Sequence, residues 1–169
     1  MAVKKSSDRS LFIALSIIMG AIIIISNYLV QFPINKFHLQ DILTYGAFSY
    51  PITFLITDLA NRRFGIKEAR KLVYIGFGIG ILLTTFVSTN FKDIISIRIA
   101  LGSGTAFLVA QLIDIEIFQR LRNKEWFVAP ITSSISGSTV DTFLFFSISF
   151  AGTGISWITL AVGDLFVKF

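Results

Sequence analysis

PITFLITDLANRRFG, residues Pro51–Gly65, begins as an apolar helix and ends in polar and basic residues. Asp58 and Asn61 are three residues apart, so they share one face of that helix. Arg62 and Arg63 follow at once. Burying a carboxylate next to an apolar segment is costly unless a partner neutralises it. What this cost means for Asp58 depends on whether the whole chain is a membrane protein.

The composition of the whole chain favours a membrane protein. Of the 169 residues, 54% are hydrophobic and only 15% are charged. Soluble domains contain about 25% charged residues. The basic residues lie between long apolar segments, so membrane topology accounts for the net charge of +5. We therefore expect the protein to lie in the lipid bilayer and not to bind nucleic acid.

Six apolar segments predict an all-α fold, a polytopic membrane bundle of six transmembrane helices in a single domain spanning residues 1–169. The expected helices are residues 11–29, 42–61, 72–89, 94–118, 127–150 and 157–169. The first is longer than the 7–15-residue core of a signal peptide and lacks a cleavage site. The last would span about 20 Å of a hydrocarbon core about 30 Å thick. We therefore expect it to be re-entrant or cut off, and we favour truncation.

The basic residues also predict the orientation. With the N-terminus in the cytoplasm, the inner segments contain eleven Lys and Arg residues and the outer segments contain three. Such a bias sets orientation in membrane proteins. Lys4, Lys5 and Arg9 precede the first helix. We therefore expect a cytoplasmic N-terminus.

Ionisable residues within or near the predicted helices are the first candidates for a binding site. An ionised acid at a helix centre costs about 2.5–3.5 kcal/mol on insertion scales. Several such residues in one small protein predict a polar cavity in the bundle. Gln111 shares a helix face with Asp114, as Ser138 does with Asp141. The four ionisable candidates are Asp58, Arg98, Asp114 and Asp141.

Each candidate has an alternative explanation. Asp58 would pair with Arg62 or Arg63 at the membrane surface, and this favours a gate or an interfacial pair there. Asp114 would similarly pair with the arginines of the next loop, Arg120 and Arg122. The stem of Arg98 would extend towards the outer surface.

Asp141 is the strongest candidate for contact with a solute. It lies about two helical turns from the expected outer end of its helix, and no basic residue is close in sequence. Neither alternative above applies to it. Gln111 and Asp114 are expected beside it.

The sequence lacks the patterns typical of enzymes. The chain has no cysteine, and its one histidine, His38, lies in a predicted loop. A Ser–His–Asp triad and a metal-ligand cluster are therefore not expected. The glycines of GFGIG, residues 76–80, follow no strand, so they do not form a phosphate loop. We expect no catalytic residues, no metal and no cofactor, and we interpret the interior polar residues as sites of solute recognition.

Several motifs resemble the queuosine precursor transporter family, also called the VUT family. They are SNYLVQFPI at residues 26–34, YGAFSYPITFLITDLANRRFG at 45–65, AQLIDIEIFQRLR at 110–122 and APITSSISGSTVDTFLFF at 129–146. Together they extend over most of the chain after residue 11. The resemblance implies uptake of 7-cyano-7-deazaguanine and 7-aminomethyl-7-deazaguanine across the bacterial inner membrane for tRNA queuosine modification. It also implies binding roles for Asn27, Asp58, Arg98, Gln111, Asp114 and Asp141.

The chemistry of these residues suits a guanine-like solute. Such a ring presents adjacent N–H donors, which Asp141 or Asp114 could accept as a pair. The ring could stack on Tyr45, Tyr50 or Phe54. The complete predicted substrate-binding set is Asn27, Tyr50, Asp58, Asn61, Arg98, Gln111, Asp114, Ser138 and Asp141.

Two other functions stay open. The chain could be a membrane-embedded binding subunit for a purine- or vitamin-like solute that needs a separate energising module. It could also be a structural protein with no solute, although the interior acids argue against this. The sequence does not decide which deazapurine is preferred, which ion drives uptake, or whether the protein forms a homo-oligomer.

Overall fold

The computed structural model describes residues 2–29, 45–87 and 94–168, and every regular element in these ranges is an α-helix. The predicted all-α class is thereby confirmed. The helices are α1 Ala2–Leu29, α2 Gly46–Ser49, α3 Ile52–Phe64, α4 Ile66–Val87, α5 Ile94–Leu121, α6 Val128–Phe150 and α7 Trp157–Lys168. Asp8–Ser26 and Ile97–Leu121 are each long and apolar enough to cross a membrane. Six spans remain a prediction, and the predicted loop around His38 lies outside the described residues.

The segment predicted as one helix over residues 42–61 is interrupted. A turn at Tyr50 and Pro51 separates the single-turn α2 from α3. In this turn the backbone N–H of Thr53 donates to the Tyr50 carbonyl at 3.0 Å. Proline lacks an N–H and fixes φ, so a turn or helix start is its favoured position.

The predicted basic loop at residues 62–71 is wrong. α3 continues to Phe64, Gly65 alone breaks the helix with φ of 87°, and α4 begins at Ile66. The N–H of Gly65 donates to the Asn61 carbonyl at 3.0 Å and so closes α3. Positive φ is accessible to glycine at little cost. The basic residues therefore lie on helix ends, where hydropathy alone gives no helical signal.

Hydropathy also misplaced other helix ends. α1 begins at Ala2 rather than near residue 11, and α5 continues to Leu121 rather than stopping near 118. A change in hydropathy marks where a helix would leave an apolar environment, whereas the helix itself can continue into water. The polar ends of α1 and α5 are of this kind.

The tightest part of the bundle is the contact between α5 and α6, with α3 packed across both. Two glycines permit this approach. A methyl group on Gly102 would lie 2.5 Å from the Ser149 hydroxyl oxygen, and one on Gly137 would lie 2.6 Å from the Phe54 ring. Small residues at such contacts let membrane helices approach closely.

The bundle buries polar groups and exposes large apolar ones. Asn61, Gln111 and Asp114 have no exposed surface, whereas the side chain of Phe166 is 86% exposed and that of Leu101 is 62% exposed. A cluster of buried apolar side chains lies among α1, α3, α4 and α5. Large exposed apolar surface is typical of a protein in contact with lipid or another partner. The fold is consistent with a helical membrane bundle.

Candidate solute-binding site

A row of buried polar side chains runs between α3 and α5 and extends onto α6. We call it the polar seam. Every member is buried except Ser134, which is partly buried. The polar seam comprises Thr53, Asp58 and Asn61 of α3, Gln111 and Asp114 of α5, and Ser133 and Ser134 of α6.

Two hydrogen bonds fix the relative direction of α3 and α5. The Gln111 amide donates to the Thr53 hydroxyl at 2.9 Å, and the Asn61 amide donates to the Ile115 carbonyl at 3.0 Å. Residue numbers increase together along both helices, so the two helices run in the same direction here. Asp58 and Asp114 lie between these two contacts and interact electrostatically.

Asp58 receives its hydrogen bonds from α6 and not from an arginine. The Ser133 and Ser134 hydroxyls donate to its carboxylate oxygens at 3.2 and 3.3 Å. Arg62 instead donates to the Trp126 carbonyl, and Arg63 pairs with Asp8 at 2.6 Å. The predicted interfacial pair at Asp58 is therefore wrong, because both arginines point to the helix ends while Asp58 faces the bundle interior.

Asp114 is not paired with a loop arginine either. Arg120 lies 3.9 Å from Glu116, and Arg122 donates to Gln119. Asp114 is buried on the opposite face, with its Cβ 3.2 Å from where a methyl group on Gly137 would be. The alternative explanation of Asp114 as a surface ion pair is therefore wrong.

The polar seam has unsatisfied hydrogen-bond acceptors. Among the described residues, Asn61 Oδ1, Gln111 Oε1 and both carboxylate oxygens of Asp114 are buried and have no hydrogen-bond partner. A buried polar group without a partner costs about 1–3 kcal/mol. All four atoms are acceptors, so the chemistry they lack is that of N–H or O–H donors, or of a cation.

Asp141 lies in a second buried cluster, between α6 and α7. Lys168 Nζ lies 2.6 Å from Asp164 and 3.3 Å from Asp141, and it donates to the Thr142 hydroxyl at 3.0 Å. Sequence reasoning missed Lys168 because it is 27 positions from Asp141. The i, i+4 spacing of Asp164 and Lys168 was the available signal. Asp141 is buried as expected, but it pairs with Lys168, which it shares with Asp164.

Tyr50 lies at the turn between α2 and α3, beside the polar seam. Its carbonyl accepts from the Thr53 hydroxyl at 2.7 Å, and its ring meets Phe107 edge to face at 6.1 Å between centroids. It is within electrostatic range of Asp141. Tyr50 thus links the two polar clusters.

The remaining candidates lie apart from the seam or at its edge. Arg98 donates to the carbonyls of Ile148 and Ala151 at 3.0 and 2.7 Å, so it closes the C-terminal end of α6. Ser138 is buried one turn after Ser134. Asn27 belongs to α1, but its side chain lies outside the described residues.

The aromatic candidates differ in exposure. Phe54 is buried between α3 and α6, whereas Tyr45 is 46% exposed. Tyr50 is partly buried. Of the three, Tyr50 lies next to the polar seam, since its carbonyl accepts from Thr53.

The fold, with its exposed apolar surface and polar interior, is consistent with a helical membrane bundle. The chain matches the family described as "Putative vitamin uptake transporter" over residues 44–169. It belongs to that family. This is a family of transporters and not of enzymes, and its members are membrane proteins.

Three relatives of the chain have more specific names. The chain is 36% identical to the "Probable queuosine precursor transporter" of Haemophilus influenzae, over 76% of this chain and 65% of that protein. It is 34% identical to the "Queuosine precursor transporter" of Escherichia coli K12, over 85% of this chain and 72% of that protein. For the Bacillus subtilis relative named "Probable queuosine precursor transporter", identity is 27%, with coverages of 75% and 65%.

The predicted family is confirmed by these matches. The matched part of the chain corresponds to between 65% and 72% of the length of these relatives. No solved structure matches the chain.

Proposed function

We propose that this protein imports the queuosine precursors 7-cyano-7-deazaguanine and 7-aminomethyl-7-deazaguanine across the bacterial inner membrane, as a multi-pass protein with a cytoplasmic N-terminus. The names of the relatives support the class of solute. The distribution of basic residues supports the orientation. The solute feeds the modification of tRNA to queuosine.

The observation that carries the proposal is the set of unsatisfied acceptors in the polar seam. Asn61, Gln111 and Asp114 together present four buried oxygens that lack donors. A 7-deazaguanine presents a ring N–H and an exocyclic amino group side by side, and a carboxylate can accept from both. Binding would satisfy groups that otherwise destabilise the bundle.

We propose that Asp114, rather than Asp141, is the principal acceptor of the solute's N–H groups. Lys168 already pairs with Asp141, whereas the polar groups described next to Asp114, Ser133 and Asp58, bring no positive charge. Gln111, one turn before Asp114, would accept a further N–H, and Tyr50 would stack against the ring. The other proposed contacts, from the sequence-based set, are Asn27, Asp58, Asn61, Arg98, Ser138 and Asp141.

Reconstitution tests this function against its main alternative. We expect the purified protein to bind 7-cyano-7-deazaguanine in equilibrium dialysis and to move it into liposomes with no other protein present. Binding without uptake would instead favour a binding subunit that needs an energising module. If the protein shows neither binding nor uptake, it is neither the proposed transporter nor such a binding subunit.

A further inference from the structure

The polar seam carries a charge that a neutral solute cannot balance. Asp58 and Asp114 are adjacent and buried, with 3% and 0% of their surfaces exposed. Two adjacent carboxylates in a low-dielectric interior repel strongly, so a pair of this kind retains a proton or binds a cation. The hydroxyl groups of Ser133 and Ser134 donate to Asp58 but bring no positive charge.

Most of the basic groups described on the surrounding helices have other partners. On α3, Arg62 and Arg63 donate to Trp126 and Asp8; on α4, Arg70 pairs with Glu116 and Lys71 with Glu68. On α5, Arg98 donates to carbonyls of the α6 end, and Arg120 lies beside Glu116. Lys168 of α7 pairs with Asp141 and Asp164. Among the lysines and arginines whose side chains the structure describes, none forms an ion pair with Asp58 or Asp114.

Two further atoms point to a bound ligand at this place. Asn61 Oδ1 is one helical turn after Asp58, and Gln111 Oε1 is one turn before Asp114; both are buried and lack partners. Amide and carboxylate oxygens are ligands for hard cations. The described residues contain no group of three or more His, Cys, Asp or Glu side chains that could hold a metal ion.

We propose that the Asp58–Asp114 pair, with Asn61 and Gln111, binds one monovalent cation, a proton or a sodium ion, that accompanies the solute. This inference rests on the proposed transport function. A neutral deazaguanine supplies N–H donors to the acceptors of the polar seam, and the cation supplies the positive charge that the solute lacks. Uptake would then be driven by the gradient of that cation.

The test uses the purified protein in liposomes with radiolabelled 7-cyano-7-deazaguanine. Uptake is compared under an inward proton gradient, an inward sodium gradient, and no gradient, each with a matched arm in which an ionophore collapses the gradient. For one cation per neutral solute, with the membrane potential clamped at zero, a tenfold cation gradient supports about tenfold accumulation of the solute. We expect one of the two gradients to give several-fold accumulation, which its ionophore abolishes.

Two variants locate the coupling site. In Asp58→Asn, the ratio of uptake with the driving gradient to uptake without it should fall to about one, because the pair loses one carboxylate. Glu116→Gln removes an exposed acid two residues from Asp114 and should retain the wild-type ratio. A wild-type ratio in Asp58→Asn would overturn the assignment of the site.

The measurements on the wild-type protein test cation coupling even if a variant does not fold. Equal uptake in all three arms, ending at equilibrium, would overturn the coupling inference and leave the transport function in place. No uptake in any arm would contradict both the coupling inference and the transport function.

Discussion

At the scale of single residues, the polar seam shows which part of the site the sequence could reveal. Asp58, Asn61, Gln111 and Asp114 were all identifiable, because polar residues at i, i+3 spacing in apolar segments are costly and therefore informative. Their partners were not identifiable. The serines that donate to Asp58 are 75 and 76 positions away, and only the tertiary fold brings them there.

The account predicts that Asp114→Asn weakens solute binding. Hydrogen bonds to a charged group contribute about 1.5–3 kcal/mol, so we expect an affinity loss of about 10- to 100-fold. Equilibrium dialysis with 7-cyano-7-deazaguanine measures this, and the exposed-acid variant Glu116→Gln is the matched control. Wild-type affinity in Asp114→Asn would rule out Asp114 as the acceptor of the solute's N–H groups.

A second residue-scale prediction concerns Gly137. An added methyl group would lie 2.6 Å from the Phe54 ring and 3.2 Å from the Asp114 Cβ. Overpacking of this kind costs about 1–3 kcal/mol, so Gly137→Ala should unfold at lower temperature in detergent. Gly78→Ala is the control, because nothing lies within 4 Å of its added methyl group. Equal unfolding temperatures for the two variants would contradict the described packing.

At the scale of elements, the sequence predicted helix existence better than helix ends. The apolar runs are long, so their helical character was clear, whereas Gly65 and the turn at Pro51 redirect the chain within segments of continuous or mixed hydropathy. The buried ion pair of Lys168 and Asp141, which we call the clamp between α6 and α7, was not predictable, since the two residues lie on different helices. Arg98 likewise binds the end of α6 from 50 positions away.

Arg98 should stabilise the end of α6. It donates two hydrogen bonds to carbonyls there, and a cation at a helix C-terminus is favoured by the helix dipole. We expect Arg98→Gln to lower the free energy of unfolding by about 1.5–3 kcal/mol. Arg120→Gln removes an exposed pair and should change it by less than about 1 kcal/mol. An equally small effect of Arg98→Gln, by thermal unfolding in detergent, would argue against the cap.

Lys168 should hold α7 against α6. Removing one partner of a buried ion pair leaves an uncompensated charge and costs about 3–5 kcal/mol, so Lys168→Met should be strongly destabilised. Adding Asp141→Asn and Asp164→Asn removes those charges and should restore part of the loss. Lys71→Met, at an exposed pair, is the control. If Lys168→Met unfolds like the control, the clamp does not contribute to stability.

At the scale of the whole molecule, the central feature is a bundle with apolar surface outside and unsatisfied acceptors inside. Composition alone indicated the first property, and interior acids indicated the second. The fold adds that these acids form two separate clusters, one with a lysine at its centre and one without any described cation. This difference moves the proposed solute contact from Asp141 to Asp114, which single-sequence reasoning could not do.

The most direct measurement of the central claim is made in a queuosine-deficient bacterium that lacks its own precursor transporter. Cells expressing this protein receive external 7-cyano-7-deazaguanine, and the queuosine content of their tRNA is measured. We expect queuosine in the tRNA of cells with the wild-type protein. With Asp114→Asn at equal membrane abundance, we expect a much lower queuosine content. If the wild-type protein is present in the membrane and yields no queuosine, while the Escherichia coli relative restores it, the proposed function is contradicted.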